Sequence, residues 1–370
     1  MKKIIATSLF TATCFVNAQN WPSIKPPIAE KQEHIRDIHG DKVNDPYYWM
    51  IDYFKKGKDS TKVVNYLTAE NNYLNAMMKD TDSFREKLFQ EMKGRIKEKD
   101  ESVPVLRNGY YYYSKTEEGK QYYKYCRKKG DLSAPEEVLI DVDELAKGHK
   151  YYSASGYSIS PDNSKMIYGV DDVSRRQYKL FLKDLKTGQT TDLGIANTSG
   201  YAVWANDNKT IFYTSNNAET LLSEKIKRHT LGTEAAKDVV VYEEKDKTNY
   251  IGVGKSKNEK YIMIYSSATT SSETRLLDAT QPNGNFFVFQ PRIKDVLYDV
   301  TPLEDKFLVT TNKDALNFKV METPLNKTGA ENWKDFIPHR KDVLMEGISE
   351  FKNYLVFSER QNGLSQLVIY

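Results

Sequence analysis

The stretch Gly156-Tyr157-Ser158-Ile159-Ser160-Pro161-Asp162-Asn163-Ser164-Lys165-Met166-Ile167-Tyr168 decides how the rest of the chain is read. A short alternating run leads through a polar turn into a second run that ends in an aromatic. The same order of parts returns in Gly200-Tyr201-Ala202-Val203-Trp204-Ala205-Asn206-Asp207-Asn208-Lys209-Thr210-Ile211-Phe212-Tyr213. Weaker copies run from Ile251 to Met263, from Tyr298 to Val309 and from Gly347 to Phe357. Their turns fall at Ser256-Lys257-Asn258-Glu259, Glu304-Asp305-Lys306 and Lys352-Asn353. Taken as phase markers, Asp162, Asp207, Asn258, Asp305 and Asn353 lie 45, 51, 47 and 48 positions apart. A period of about 40 to 50 residues built of short strands and Asp/Asn/Gly turns is the signature of a β-propeller blade, a four-stranded sheet that cannot bury both faces alone and must stack on its neighbours. Thr210-Ile211-Phe212-Tyr213 and Tyr261-Ile262-Met263-Ile264-Tyr265 have the β-branched and aromatic content of strands covered on both faces. A β-sandwich would also give turns every 8 to 12 residues or so, but no higher-order recurrence.

The 370 residues are nearly balanced in charge, with 54 Lys+Arg against 51 Asp+Glu. No basic stripe with interleaved aromatics is present, which argues against a nucleic-acid partner; pairs such as Lys55-Lys56 and Lys128-Lys129 read as solvated turns. The 26 tyrosines suit strands better than helical bundles. Met1 to Ala18 has the form of a signal peptide, with Lys2-Lys3, an apolar run from Ile4 through Val16, and Val16-Asn17-Ala18 before Gln19. The apolar run is too short to span a bilayer. Export to the periplasm or beyond a bacterial cell is expected. Leu9 to Thr13 is a poor lead-in for a lipid-modified Cys14, so simple secretion is favoured. Cleavage after Ala18 would leave Cys126 alone, a residue expected to be buried and structural, with no internal disulfide to form.

Gln19 to Glu33, with Pro22, Pro26 and Pro27, reads as an extended arm. In His34 to Met50, Gly40 and Asp45-Pro46 supply turns, and Tyr47, Tyr48 and Trp49 form an aromatic anchor. His34 and His39 lack companions at ligand spacing and read as structural rather than metal-binding. Val63, Leu67, Leu74 and Met78 mark one helix, with Ser60 as its expected N-cap. Phe84, Leu88, Met92 and Ile96 mark a second, opened by a Ser83/Glu86 capping box. Two amphipathic helices need a surface to lie against, which implies a partner domain or subunit. The first blade is expected to begin at Ser102-Val103-Pro104, with strands at Tyr110 to Ser114 and Gln121 to Arg127. From Pro135 to Lys150 the sequence reads as a strand and a short helix around Glu144 to Lys147, closed by Gly148. Asp141 and Asp143 lack the glycine and terminal glutamate of an EF-hand loop and read as solvated. Later blades follow at Gly156, Gly200, Tyr250, Asp299 and Gly347, and Tyr370 falls in the second or third strand of a sixth.

Several of these segments together resemble the prolyl oligopeptidase family of serine peptidases, and within it the oligopeptidase B (protease II) branch. The residues are His39-Gly40 with Asp45-Pro46-Tyr47-Tyr48-Trp49, Tyr66-Leu67 with Ala69-Glu70-Asn71, Leu88 through Lys97, Asp100 through Pro104, Glu118-Gly119-Lys120-Gln121-Tyr122, Tyr125-Cys126-Arg127, Pro135 through Leu139, and Ser160-Pro161-Asp162. The resemblance runs from about Pro26 to the end. With the signal peptide read above (1–18), it gives a mainly β chain: an arm with two helices (19–100) and an incomplete seven-bladed propeller (101–370) of about five to six blades. It also implies an α/β-hydrolase partner domain that carries a Ser-His-Asp triad, cleaves oligopeptides after Lys or Arg, and is gated by the propeller. The hydrolase elbow Gly-x-Ser-x-Gly is absent from these residues. The nearest approach, Gly156-Tyr157-Ser158-Ile159-Ser160, lacks the final glycine and sits in a blade strand. His229 and His339 fall in polar inter-strand stretches. No catalytic, metal or cofactor residue is therefore assigned. The expected function is the propeller portion of a secreted oligopeptidase B-like peptidase, inactive alone. A proline-specific relative, or a free-standing propeller that binds or scaffolds, are the alternatives; a free propeller should close its ring.

Overall fold

A computed structural model describes residues 22–370, so the signal-peptide expectation for Met1 to Ala18, with Cys14, lies outside the described residues. The chain divides into two compact units between Lys97 and Glu98.

In the first unit, residues 22–33 form no regular element. A hairpin pairs Ile35–Ile38 with Asp41–Asn44, turned by His39 and Gly40, both left-handed. The aromatic anchor is real. Trp49 is buried, its indole N–H donates to the Glu30 carbonyl at 3.0 Å, and Lys62 lies over its ring while pairing with Glu30. This fixes the arm to the helix Ser60–Met78. Both expected caps are corrected. Ser60 is the first helical residue, preceded by Asp59 at the cap position without a side-chain cap bond. The second helix, Asp82–Gly94, begins before Ser83 and directly follows the 3-10 turn Lys79–Thr81, so there is no open N-terminus for a capping box to close. Phe84, Leu88 and Met92, and Ile96 beyond the helix end, all remain exposed.

The second unit is six blades of antiparallel strands in chain order, built on five sheets. Blade 1 has Tyr110–Thr116, Lys124–Lys129 and Glu136–Asp141; its innermost position is shared by Asp100–Glu101 and Val105–Arg107. It begins at Asp100, not Ser102, because Pro104 lacks the N–H a continuous ladder needs and the inner strand breaks around it. Blades 2 and 3 are joined by one long strand, Thr190–Trp204, the outermost strand of one and the innermost of the next. They form a single seven-stranded sheet rather than two separate ones. Blades 4 and 5 have four strands each, Tyr250–Lys255 through Phe287–Gln290 and Tyr298–Pro302 through Lys334–Ile337. Blade 6 has three, Val343–Glu350, Leu355–Gln361 and Leu364–Ile369.

Five apolar clusters of described residues fill the spaces between successive blades. The second strand of each inner blade shows why a period of two gives this architecture. Met166 and Tyr168 pack toward blade 1 while Ile167 packs toward blade 3. Ile211 and Tyr213 face blade 2 and Phe212 faces blade 4. Ile262 and Ile264 face blade 3 and Met263 faces blade 5; Phe307 and Val309 face blade 4 and Leu308 faces blade 6. Successive side chains of a strand point to opposite faces, so each strand fills two interfaces at once.

The short helix after blade 1 is Val142–Leu145, two residues earlier than expected, with Gly148 left-handed beyond it. Asp141 and Asp143 are not merely solvated. Asp141 caps that helix through the Glu144 N–H and pairs with Lys124 at 3.1 Å, and Asp143 accepts the backbone N–H groups of Gln121 and Tyr122.

Candidate functional site

The five phase markers occupy one equivalent position, the turn between the first and second strands of blades 2 to 6. In blades 2, 3 and 4 the turns close with identical offsets: Ser160 N–H to Lys165 carbonyl, Ala205 to Thr210, and Ser256 to Tyr261. Asp162, Asp207 and Asn258 fold back to accept the N–H two residues on. The residue after each marker, Asn163, Asn208 and Glu259, is left-handed, at φ 60°, 58° and 59°. These residues tie the turns together. Asn163 Nδ2 donates to the Asn108 carbonyl in blade 1, and the Asp162 N–H donates to Asn208 Oδ1 in blade 3. Asn206 Nδ2 of blade 3 donates to the Glu259 carbonyl of blade 4.

Beside the inner strands lies a small cavity of about 30 Å³ whose walls include Arg107, Ser158, Tyr201, Lys255 and Glu259. Burial pushes the Tyr265 hydroxyl up to about 12, with the charges of Asp299 and Glu350 adding to it. Those residues of blades 4, 5 and 6 therefore lie within electrostatic reach of one another. Burial also raises the Asp299 carboxyl, although water reaches its side chain. Lys255 is held below the usual lysine range by burial, which the nearby Glu259 opposes.

The sequence candidates are not brought together. Ser158 lies within the first strand of blade 2, where its carbonyl accepts the Trp204 indole N–H; it is no strained elbow. Cys126 is buried, and burial pushes its thiol up to about 11, the opposite of an activated nucleophile. His34 stacks on Tyr48 at 3.9 Å, and His339 accepts the Asn317 N–H. His229 is corrected: it is not in an inter-strand stretch but in the third strand of blade 3, Ser223–Thr230, fully buried. Its Nδ1 meets Asp238 Oδ1 at 2.6 Å, and Tyr213 donates to the other Asp238 oxygen at 2.7 Å. This His-Asp pair looks like two-thirds of a triad. Its Nε2 has no partner and no access to solvent, so it cannot reach a substrate. Among the described residues, no three His, Cys, Asp or Glu converge to hold a metal ion, and no helix is long and apolar enough to cross a membrane.

What the geometry defines is thus a propeller, with its turns knit on one face. The family model described as "Prolyl oligopeptidase, N-terminal beta-propeller domain" matches residues 26–370, and the chain belongs to that family. It is 37% identical to dipeptidyl aminopeptidase BI of Pseudoxanthomonas mexicana, covering 98% of this chain and 52% of that one. With protease 2 of Moraxella lacunata the identity is 31%, over 93% of this chain and 50% of the relative. Among solved structures, oligopeptidase B from Leishmania major superposes with a TM-score of 0.84 at 29% identity, covering 93% of this chain and 50% of the other. The chain spans about half the length of the curated relatives it matches. The described residues after Lys97 are the six blades and their connections, and none of them forms an α/β-hydrolase.

Proposed function

We propose that these residues are the N-terminal propeller portion of an exported oligopeptidase B-like serine peptidase. In this reading the propeller admits short peptides to a hydrolase domain that cleaves after Lys or Arg. The observation that carries it is the family match from residue 26 to 370, together with likeness over only about half of each relative. The exposed stripe Phe84, Leu88 and Met92 supports a partner domain, since a helix face of that kind is costly to leave in water. The domain plan is a leader (1–18), an arm with helices (19–100) and the propeller (101–370). Purified 1–370 is expected to release no fluorophore from peptides ending in Arg or Lys; release would refute the assignment of chemistry to a separate domain. The frame after codon 370 is expected to encode Gly-x-Ser-x-Gly followed by Asp and His. Unrelated sequence there would favour a free-standing binding propeller. The mature protein is expected to begin at Gln19, by mass spectrometry of exported material.

A second reading is favoured by the 37% identity to a dipeptidyl aminopeptidase: release of dipeptides from a free N-terminus. Acetylating the substrate N-terminus would abolish cleavage on this reading and spare it on the first.

A further inference from the structure

One turn touches four other blades. The segment Lys255–Lys260, which leads from the end of the first strand of blade 4 to its second, holds Asn206 of blade 3 through Lys255 Nζ at 2.6 Å. It reaches blade 5 through Asn258 Nδ2, which donates to the Pro302 carbonyl at 3.0 Å, and through a Lys260–Glu304 ion pair. Those are neighbours. Blade 6 is not, yet Lys257 Nζ donates to the Glu350 carbonyl and lies 3.8 Å from the centroid of the Phe351 ring. Nor is blade 1, yet Glu259 Oε1 accepts from Arg107 Nη2 at 3.0 Å and Nε at 3.3 Å, with Asn108 Nδ2 at 3.4 Å. Blades 1 and 4 are separated by two others around the ring, so turns that meet must meet over the axis. Glu259 does this from a left-handed backbone. Asn readily adopts that conformation, as at the equivalent positions 163 and 208, whereas a longer acidic residue there is a backbone outlier that calls for a reason.

We propose that the blade 4 turn caps one mouth of the axial opening. Glu259 latches it to Arg107 and Asn108, and Lys257 latches it to blade 6. The cavity beside Tyr201 is then closed on that side by the turn. That what enters is a peptide rests on the function proposed above; the closure itself does not. The latch is ionic and half exposed, with side-chain exposures of 58% for Arg107 and 28% for Glu259, so salt weakens it.

The test is thiol labelling of Tyr201→Cys in the 370-residue chain, with the unsubstituted chain reporting the background of its own cysteines. Two probes are compared, iodoacetamide and a maleimide carried on a several-kilodalton polyethylene glycol. With the latch intact, the small reagent labels and the bulky one is slow. Adding Glu259→Ala and Lys257→Ala, or raising the salt, is expected to speed the bulky reagent several-fold and leave the small one unchanged. The charge swap Arg107→Glu with Glu259→Arg is expected to keep the bulky reagent slow. Equal bulky-reagent rates with and without the latch, or fast bulky labelling of the swap, would overturn the cap. No peptidase activity enters the measurement, so failure of the functional reading leaves it intact.

Discussion

Gly156, Gly169 and Gly200 meet where the first strands of blades 2 and 3 cross. A Cβ on Gly156 would stand 2.1 Å from the Gly200 carbonyl oxygen, and one on Gly169 would stand 2.4 Å from the Gly200 Cα. Gly156 and Gly200 also lie at φ +65° and +84°. Gly156→Ala is therefore expected to destabilise by at least about 1–3 kcal/mol from backbone strain alone, seen as a lower urea midpoint. Gly252→Ala, whose Cβ meets nothing within 4 Å, should be nearly silent. The recurrence of Gly-Tyr at 156 and 200 was legible as a repeat; the physical reason, backbone against backbone, was not. His229 was misplaced for a related cause. Alternation puts position 229 opposite Ile211, but only the fold supplies Asp238 and Tyr213 around it. Asp238→Ala would strand a buried imidazole and a buried hydroxyl together, and a loss of about 3–5 kcal/mol in urea unfolding is expected, against about 1 kcal/mol for Tyr213→Phe. Acid acts on the turns. Burial raises the Asp162 and Asp207 carboxyls, but hydrogen bonds from Ser160 and Ser164, and from Thr210 and Lys209, outweigh it and leave both below the ordinary 3.8. Their stabilisation is whole above that value and is lost as pH falls below it through the folded values. Asp162→Asn should flatten part of the acid limb of a stability-against-pH curve; an unchanged limb would show that the turn carboxylate contributes nothing.

Strands were easier to read than helix ends. A period of two with β-branched and aromatic residues is a signal carried by every residue of a strand, and the second strands of blades 2 to 5 sit where it places them. Helix starts depend on one residue, and Asp59-Ser60-Thr61 and Thr81-Asp82-Ser83 each offer three cap-competent side chains in a row. Which one serves is set by the chain before the helix, and for Asp82–Gly94 that chain is already helical. The middle strands also carry large aromatic side chains into the interfaces. Phe307, fully buried, meets Phe289 edge-on at 5.1 Å between centroids. Phe307→Ala should cost about 3–5 kcal/mol and loosen blades 4 and 5 together, whereas a substitution at exposed Val239 on the outermost strand of blade 3 should cost little. Hydrogen exchange of Tyr261–Ser267 and Lys306–Thr311 would show whether the two sheets open as one unit.

At the scale of the whole molecule the repeat gave the ring but not what crosses it, because spacing reports neighbours in sequence and Arg107 and Glu259 are 152 residues apart. The same limit applies to the sheets at the two ends of the blade series. Blades 2 to 5 are covered on both faces by the clusters between them, but blades 1 and 6 are so covered on one face only. Val356 pairs with Ile369 and Ser358 with Leu367 across the second and third strands of blade 6, which places those side chains on the face turned away from Phe357 and blade 5. Leu367 and Ile369 are 75% and 73% exposed there, and Leu364–Ile369 has no strand on its outer side among the described residues. An apolar face beside an unpaired edge is a template for another chain. Purified 1–370 is therefore expected to self-associate as its concentration rises, and more so in high salt, because apolar burial resists screening. Leu367→Lys with Ile369→Lys places two like charges on that face without touching the interface with blade 5. Sedimentation velocity should shift toward monomer in this variant while the urea midpoint stays put. If association is unchanged, the contact lies elsewhere, and the exposed helix stripe at Phe84 and Met92 becomes the surface to charge next.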